Sequence, residues 1–266
     1  MKVFALGPEG TFSHELGWRI FGEAVTLVPT IRRIFEAVEK GEGDGLVPLE
    51  NSEAGGVGAS MDGLLTFKVW ITGETCVPVH HYLVSLGPLA EARVIYVHPQ
   101  THEQCSDIIE ELGIPVVHTP SNAQSARELV RSGRGAAIVP KMTARLYDLP
   151  VQKACVENSD QNVTRFVTIS SRPYGGSRPV KGSIIVDPRE DRAGLLHDIL
   201  GVFSGKGINL TRIESRPSKR GIGSYVFFID YQFSGEGSLA ALEELKEMTC
   251  VKDLGRYPVL EVPEWT

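Results

Sequence analysis

A chain of 266 residues with 42% hydrophobic and 23% charged residues carries enough apolar surface for one large and one small folded unit, which excludes an intrinsically disordered polymer. Its formal charge of −6 comes without a basic tail or stripe, so nucleic-acid binding driven by counterion release has no source, and no run approaches the roughly 20 apolar residues of a membrane span. The opening MKVFALGPEG lacks the apolar core of about 7–15 residues of a secretory signal, so the expected location is the cytoplasm, where Cys76, Cys105, Cys155 and Cys250, with no CxxC pair among them, stay reduced.

Short apolar runs alternate with segments of helical period from the first residues: KVFAL and a helix over 12–22, AVTLV and a helix over 30–40, GLVPL and a helix over 58–67. That alternation predicts a mostly parallel, doubly wound sheet. It restarts after Leu86 with VIYV, a helix over 101–112, PVVH, a helix over 121–132, AAIVP and a helix over 141–147, which predicts a second α/β lobe. The extended run 74–86 and the stretch 156–163 are the expected crossings, and TRFVTIS (164–170) returns the chain to the first lobe. A cleft between two lobes joined twice suits a small ligand and excludes water on closure. SRPYGGSRP (171–179) has the composition of a linker. After it come KGSIIV, a helix over 193–205, INLTRIES, IGSYVFFIDY, a helix over 238–248 and CVKDLGRY, the βαββαβ order of a ferredoxin-like unit. The expected division is residues 1–171, with lobe 1 over about 1–78 plus 160–171 and lobe 2 over about 79–159, then 181–260.

Candidate chemistry gathers in the loops that follow strands. In GPEGTFSHE (7–15), Pro8, Glu9, Gly10 and Thr11 lie between the first strand and helix, where glycine lets backbone approach a ligand and helix-terminal amides face it. Glu50, Asn51 and Ser52 sit at the carboxyl end of a buried strand, the edge where open α/β sheets bind ligands. Ser121 and Asn122 open a helix in the second lobe; either is equally an N-cap. Thr164, Arg165 and Phe166 set a hydroxyl, a guanidinium and a ring in succession, and Arg165 has the fork geometry to grip a carboxylate. No metal site is expected. His98 and His102 are separated by Pro99 without an HExxH pattern, and adjacent His80 and His81 point to opposite faces of a strand. With 14 Lys/Arg against 20 Asp/Glu in residues 1–170, any cation for an anionic substrate must be placed locally.

GPEGTFSHE, VPLENSEAGG, HPQTHEQC, SNAQSA and NVTRF, in this order, resemble prephenate dehydratase, and GLLHDIL, GINLTRIESRP and SYVFFID are similar to the ACT domain that follows it in that family. The resemblance covers essentially the whole chain. It implies a catalytic domain with the two-lobed fold of type II periplasmic binding proteins, conversion of prephenate to phenylpyruvate without cofactor or metal, an essential threonine at Thr164, and L-phenylalanine as effector. Effector contacts then map onto Ala193, Gly194, Leu195, Leu196, Asn209, Leu210, Glu214, Ser215, Arg216 and Pro217. Because ACT domains bind amino acids between paired copies, a homodimer or dimer of dimers is implied, with no nucleic-acid or membrane partner. The chain departs from the family pattern at VHPQTH (97–102), where Ser-His-Pro-Gln-Ala-Leu is usual, and at Ala193-Gly194-Leu195-Leu196, where Pro-Gly-Ala-Leu is usual and the larger Leu195 would reshape the effector pocket. An arogenate or cyclohexadienyl dehydratase and a non-catalytic binding protein for small carboxylates are the competing readings.

Overall fold

Most of the expected runs form the expected elements in a computed structural model, which describes residues 2–188, 192–220 and 224–263. The first lobe holds β1 (Val3–Leu6), α1 (Phe12–Phe21), β2 (Val25–Val28), α2 (Ile31–Glu39), β3 (Asp44–Asn51), β4 (Gly55–Gly56), α3 (Gly58–Thr66) and β5 (Trp70–Pro78). The second holds β6 (Tyr82–Ser85), β7 (Ile95–Val97), α4 (Pro99–Gln104), α5 (Ser106–Leu112), β8 (Val116–His118), α6 (Asn122–Ser132), β9 (Ala136–Val139), α7 (Lys141–Leu146) and β10 (Val151–Ala154). β11 (Val163–Ser170) returns to the first lobe, and β12 (Lys181–Asp187), α8 (Leu195–Gly205), β13 (Leu210–Pro217), β14 (Tyr225–Gln232), α9 (Glu236–Met248) and β15 (Cys250–Tyr257) follow. Ile222 and Gly223, which open the strand expected over IGSYVFFIDY, lie outside the described residues.

Local chemistry explains the boundaries. Thr11 and Thr30 cap α1 and α2 by accepting from the amides of His14 and Arg33, and Ile31, Ile34, Phe35 and Val38 give α2 a buried stripe at helical spacing. Gly133 ends α6 in the left-handed conformation. The expected helix over 101–112 is instead two helices, α4 and α5, broken at Cys105 (φ −127°, ψ 25°). β10 has no counterpart in the expectations: all four of its residues are exposed on a sheet edge, so no apolar alternation marks it.

The first sheet has the order β2-β1-β3-β11-β5, with β1 parallel to β2 and β3 while β11 runs antiparallel to both its neighbours. The second has the order β10-β6-β9-β7-β8, again mixed. Both lobes are therefore less parallel than expected, because strands beside the crossings enter against the others. The third sheet, β13-β14-β12-β15, is antiparallel throughout and ferredoxin-like. One of its faces is covered by α8 and α9 through Ile199, Phe203, Leu242 and Leu245. The other packs Ile185, Val226, Phe228, Leu254 and Tyr257 against Val69, Ile71, Val167 and Ile169 of the first lobe, forming one continuous core. The chain end joins this seam, with Glu74 donating its amide to the Pro258 carbonyl and accepting from the Leu260 amide. No described helix is long and apolar enough to cross a membrane.

Candidate active site

A cavity of about 380 Å³ lies between the lobes. Its first-lobe wall is made where β3 and β11 run side by side, pairing Thr164 with Asn51 and Arg165 with Glu50. Thr164 and Phe166 line the cavity together with Asn51, Thr11 and Phe12. Asn51 is buried and its amide is spent inward. Its Oδ1 accepts from the amides of Glu53 and Ala54, while Nδ2 donates to Asn162 Oδ1 at 2.7 Å and to Thr164 Oγ1 at 3.0 Å. With its oxygen engaged as an acceptor, the Thr164 hydroxyl keeps its proton for a partner in the cavity. Asn51 therefore orients the Thr164 hydroxyl.

The second lobe contributes His98, Gln100, Thr101, Gln104, Pro120, Ser121 and Asn122. Ser121 caps α6 by accepting from the Gln124 amide at 3.1 Å, whereas Asn122 accepts from Thr101 Oγ1 at 2.9 Å and keeps its amide donors. The lobes touch where Thr143 at the start of α7 donates to the Gly10 carbonyl at 2.6 Å. Gly10 has φ +86°, and a Cβ there would meet Thr143 Oγ1 at 2.8 Å, so glycine is required twice over. His81, on the outgoing crossing, packs edge-on against Phe12 and bonds Gln104 through Nε2 at 3.0 Å. Burial lowers the His81 pKa, against the opposing pull of the Gln104 hydrogen bond, and burial followed by the nearby His118 lowers that of His98. Both rings are neutral at pH 7. Among the described residues, those lining the cavity include no Lys, Arg, Asp or Glu. The polarity that an anion would meet comes from the amino ends of α1 and α6, whose first-turn amides lack intrahelical partners.

Several expected positions lie elsewhere. Arg165 does not face the cavity: strand alternation turns it to the opposite side of β11, where it is 8% exposed. There it bonds Glu74 Oε2 at 2.7 Å, Asp230 Oδ2 at 2.5 Å and the Tyr257 hydroxyl at 3.1 Å, while Lys181 reaches Glu74 at 2.6 Å and Ser183 bonds both Asp230 and Tyr257. Burial opposes its charge, but Asp230, Tyr257 and Glu74 outweigh this and raise its pKa, so it stays ionised. Glu50 likewise turns from the cavity, pairing with Arg212 at 3.0 Å. Ser52 is exposed and clasps the return crossing, donating to the Gln161 carbonyl and accepting from the Val163 amide. Pro8 and Glu9 are exposed and line no part of the cavity.

The expected effector positions divide by the same alternation. Glu214 and Arg216 point at the first lobe, where Glu214 pairs with Arg212 and Arg216 reaches Asp62 at 3.6 Å. A Cβ on Gly56 would meet the Glu214 carboxylate at 2.5 Å, so the glycine loop is shaped to this strand. Ser215 and Pro217 are exposed on the other face of β13, and Ala193, Gly194 and Asn209 are exposed just before α8 and β13; Leu196 and Leu210 are half-buried. Leu195 lies in the core under α8, so its extra bulk fills the interior and not an open pocket. Sequence reasoning did not single out His81, Gln104 or Thr143 as site residues. His98, Gln100, Thr101 and Gln104 lie within HPQTHEQC (98–105), at a strand-to-helix turn, which was the available signal.

Two α/β lobes around a cavity without charged lining among the described residues, with a ferredoxin-like sheet docked behind one wall, define a two-lobed small-ligand fold with an appended ferredoxin-like module. A family model for prephenate dehydratase matches residues 3–174, and one for the ACT domain matches residues 184–248. The chain belongs to the prephenate dehydratase family. It is 34% identical to a prephenate dehydratase of Methanocaldococcus jannaschii, covering 96% of this chain and 97% of that one. Among solved structures it is similar to a prephenate dehydratase of Arthrobacter aurescens in complex with L-Phe, with TM-score 0.88, 30% identity and coverage of 97% and 90%. It is also similar to GqqA, described as a novel type of quorum quenching acylase, with TM-score 0.87, 27% identity and 98% of each chain covered.

Proposed function

We propose that this chain converts prephenate to phenylpyruvate and that Thr164 assists departure of the ring hydroxyl. The carbon–carbon bond to the ring carboxylate breaks and releases carbon dioxide, its electrons complete the aromatic ring, and the ring carbon–oxygen bond breaks as the hydroxyl, hydrogen-bonded by Thr164, takes a proton supplied from solvent and leaves as water. Aromatisation drives the step, so the protein supplies orientation, a donor for the leaving oxygen and exclusion of water. The observation that carries this reading is the Asn51–Thr164 hydrogen bond, which leaves the threonine proton free beside apolar Phe12, Pro48, Val57 and Phe166. The side-chain carboxylate is held by helix-terminal amides and by Asn122, and the lack of a lining cation among the described residues avoids stabilising the carboxylate that must be lost.

An acylase activity, the one named for GqqA, would require Thr164 as a nucleophile with a base in reach. Its hydroxyl is bonded by the Asn51 amide, a donor that cannot take a proton, and among the described residues no imidazole is bonded to it, His81 Nε2 being paired with Gln104. That favours the lyase. We further propose that L-phenylalanine binds at the ACT module in a homodimer or dimer of dimers and acts through the contacts of β13 and β14 with Glu50 and Arg165. Purified protein incubated with prephenate, and separately with arogenate, tests the reaction. Phenylpyruvate from prephenate is expected; phenylalanine formed faster from arogenate would reassign the substrate, and no product from either would remove the assignment.

A further inference from the structure

We propose that His80, Cys155 and Glu157 form a binding site for a divalent transition-metal ion of the zinc type, set where the two crossings meet. The imidazole Nδ1, the thiol sulfur and a carboxylate oxygen all lie within 4.8 Å of one another. Imidazole, thiolate and carboxylate together suit zinc and cobalt, whereas magnesium and calcium take oxygen ligands. Bonds of about 2.0–2.3 Å in a tetrahedral array put donor atoms about 3.3–3.7 Å apart, so modest side-chain rotations close the site around an ion.

The donors are held by the fold. The Glu157 side chain is 4% exposed, and its Oε2 accepts from the His81 amide at 2.8 Å, which aims Oε1 at His80 Nδ1, 2.7 Å away. A fixed ligand of this kind gives a site its geometry before the ion arrives. The His80 side chain is 43% exposed and Cys155 is exposed, so an ion has a path from solvent. His80 also borders a cavity of about 270 Å³ with Tyr82 and Lys141, distinct from the one that holds Thr164. On binding, the ion displaces the thiol proton and fills the place of the His80–Glu157 hydrogen bond.

Local sequence spacing could not show this site, because its ligands come from the outgoing crossing and from the start of the returning one, 75 positions apart between His80 and Cys155. An ion there would tie the outgoing crossing to the returning one, at the segments that must bend for the lobes to move.

Titration of the untagged full chain with Co²⁺ tests the assignment. One equivalent is expected to give thiolate-to-metal absorption in the near ultraviolet and visible bands of four-coordinate cobalt, both removed by Zn²⁺. Cys155→Ser and His80→Ala are each expected to weaken binding by at least about 100-fold, since even outer-shell changes cost about 10–100-fold, while Cys250→Ser leaves it unchanged. If either ligand variant loses its far-ultraviolet circular dichroism, Glu157→Gln replaces it with the same expectation. Absence of a stoichiometric thiolate band, or cobalt binding by a folded ligand variant as tight as by the parent, would overturn the proposal.

Discussion

Thr164 and Arg165 are neighbours on β11, yet they serve two regions built on opposite principles. The cavity in front is uncharged, and its polar groups are aimed by shared hydrogen bonds. The seam behind is charged and buried, with Arg165 pinned between Glu74 of the first lobe and Asp230 of the third sheet. A neutral donor suits the cavity, where a fixed positive charge would hold back the departing carboxylate. A buried guanidinium suits the seam, where several partners fix one docking geometry. The difference teaches that one strand can present a hydroxyl to a cavity while its next residue registers the position of a separate sheet.

The sharpest way to break this comparison is Asp230→Ala, which leaves Arg165 buried with one partner fewer. Denaturant unfolding is expected to show a loss of about 3–5 kcal/mol, the usual result of breaking a buried pair from one side. A change under about 1 kcal/mol would mean that water reaches the seam. Thr164→Ala is the complementary case: turnover should fall about 10²–10³-fold, or about 2.7–4 kcal/mol of transition-state stabilisation, with unfolding unaltered. Near-normal turnover would leave the cavity without its donor.

A smaller effect sharpens the seam. Lys252 Nζ donates to the carbonyls of Leu64, Leu65 and Phe67 at 2.6, 3.1 and 2.7 Å, closing the end of α3, and burial pushes its pKa down to about 8. Lys252→Met should cost about 1–3 kcal/mol in urea unfolding because three carbonyls lose their donor. The smallest effect concerns pH. The His81 pKa is lowered by burial, so its contribution to stability is present above its unfolded value near 6.5 and is lost as pH falls below that through the folded value. Melting temperatures from pH 7 to 5 should fall less steeply for His81→Gln than for the parent; equal slopes would show that the ring charges freely in the fold.

The alternation of apolar runs and helical periods makes both lobes and the ferredoxin-like unit legible in the sequence, because each buried strand is a short apolar block between helices. Exposed β10 carried no such mark. Within the site, Thr164 and Asn51 were legible from their place at strand ends, but the Arg165 grip on substrate was not. Alternation alone says that Arg165 faces away from Thr164; which side holds ligand and which holds Asp230 depends on a sheet that begins beyond a linker. Glu50 is the same kind of case, since its cation, Arg212, comes from β13. Contacts between distant segments leave no periodic trace, so local pattern reading stops there.

The meeting of Gly10 with Thr143 has a mechanical corollary. With Thr143 Oγ1 only 2.8 Å from where a methyl group would stand, an alanine at position 10 acts as a wedge between the lobes as well as a strained residue. Such a protein would still dock substrate on the first-lobe wall but leave it wet, giving an ajar enzyme that binds without committing.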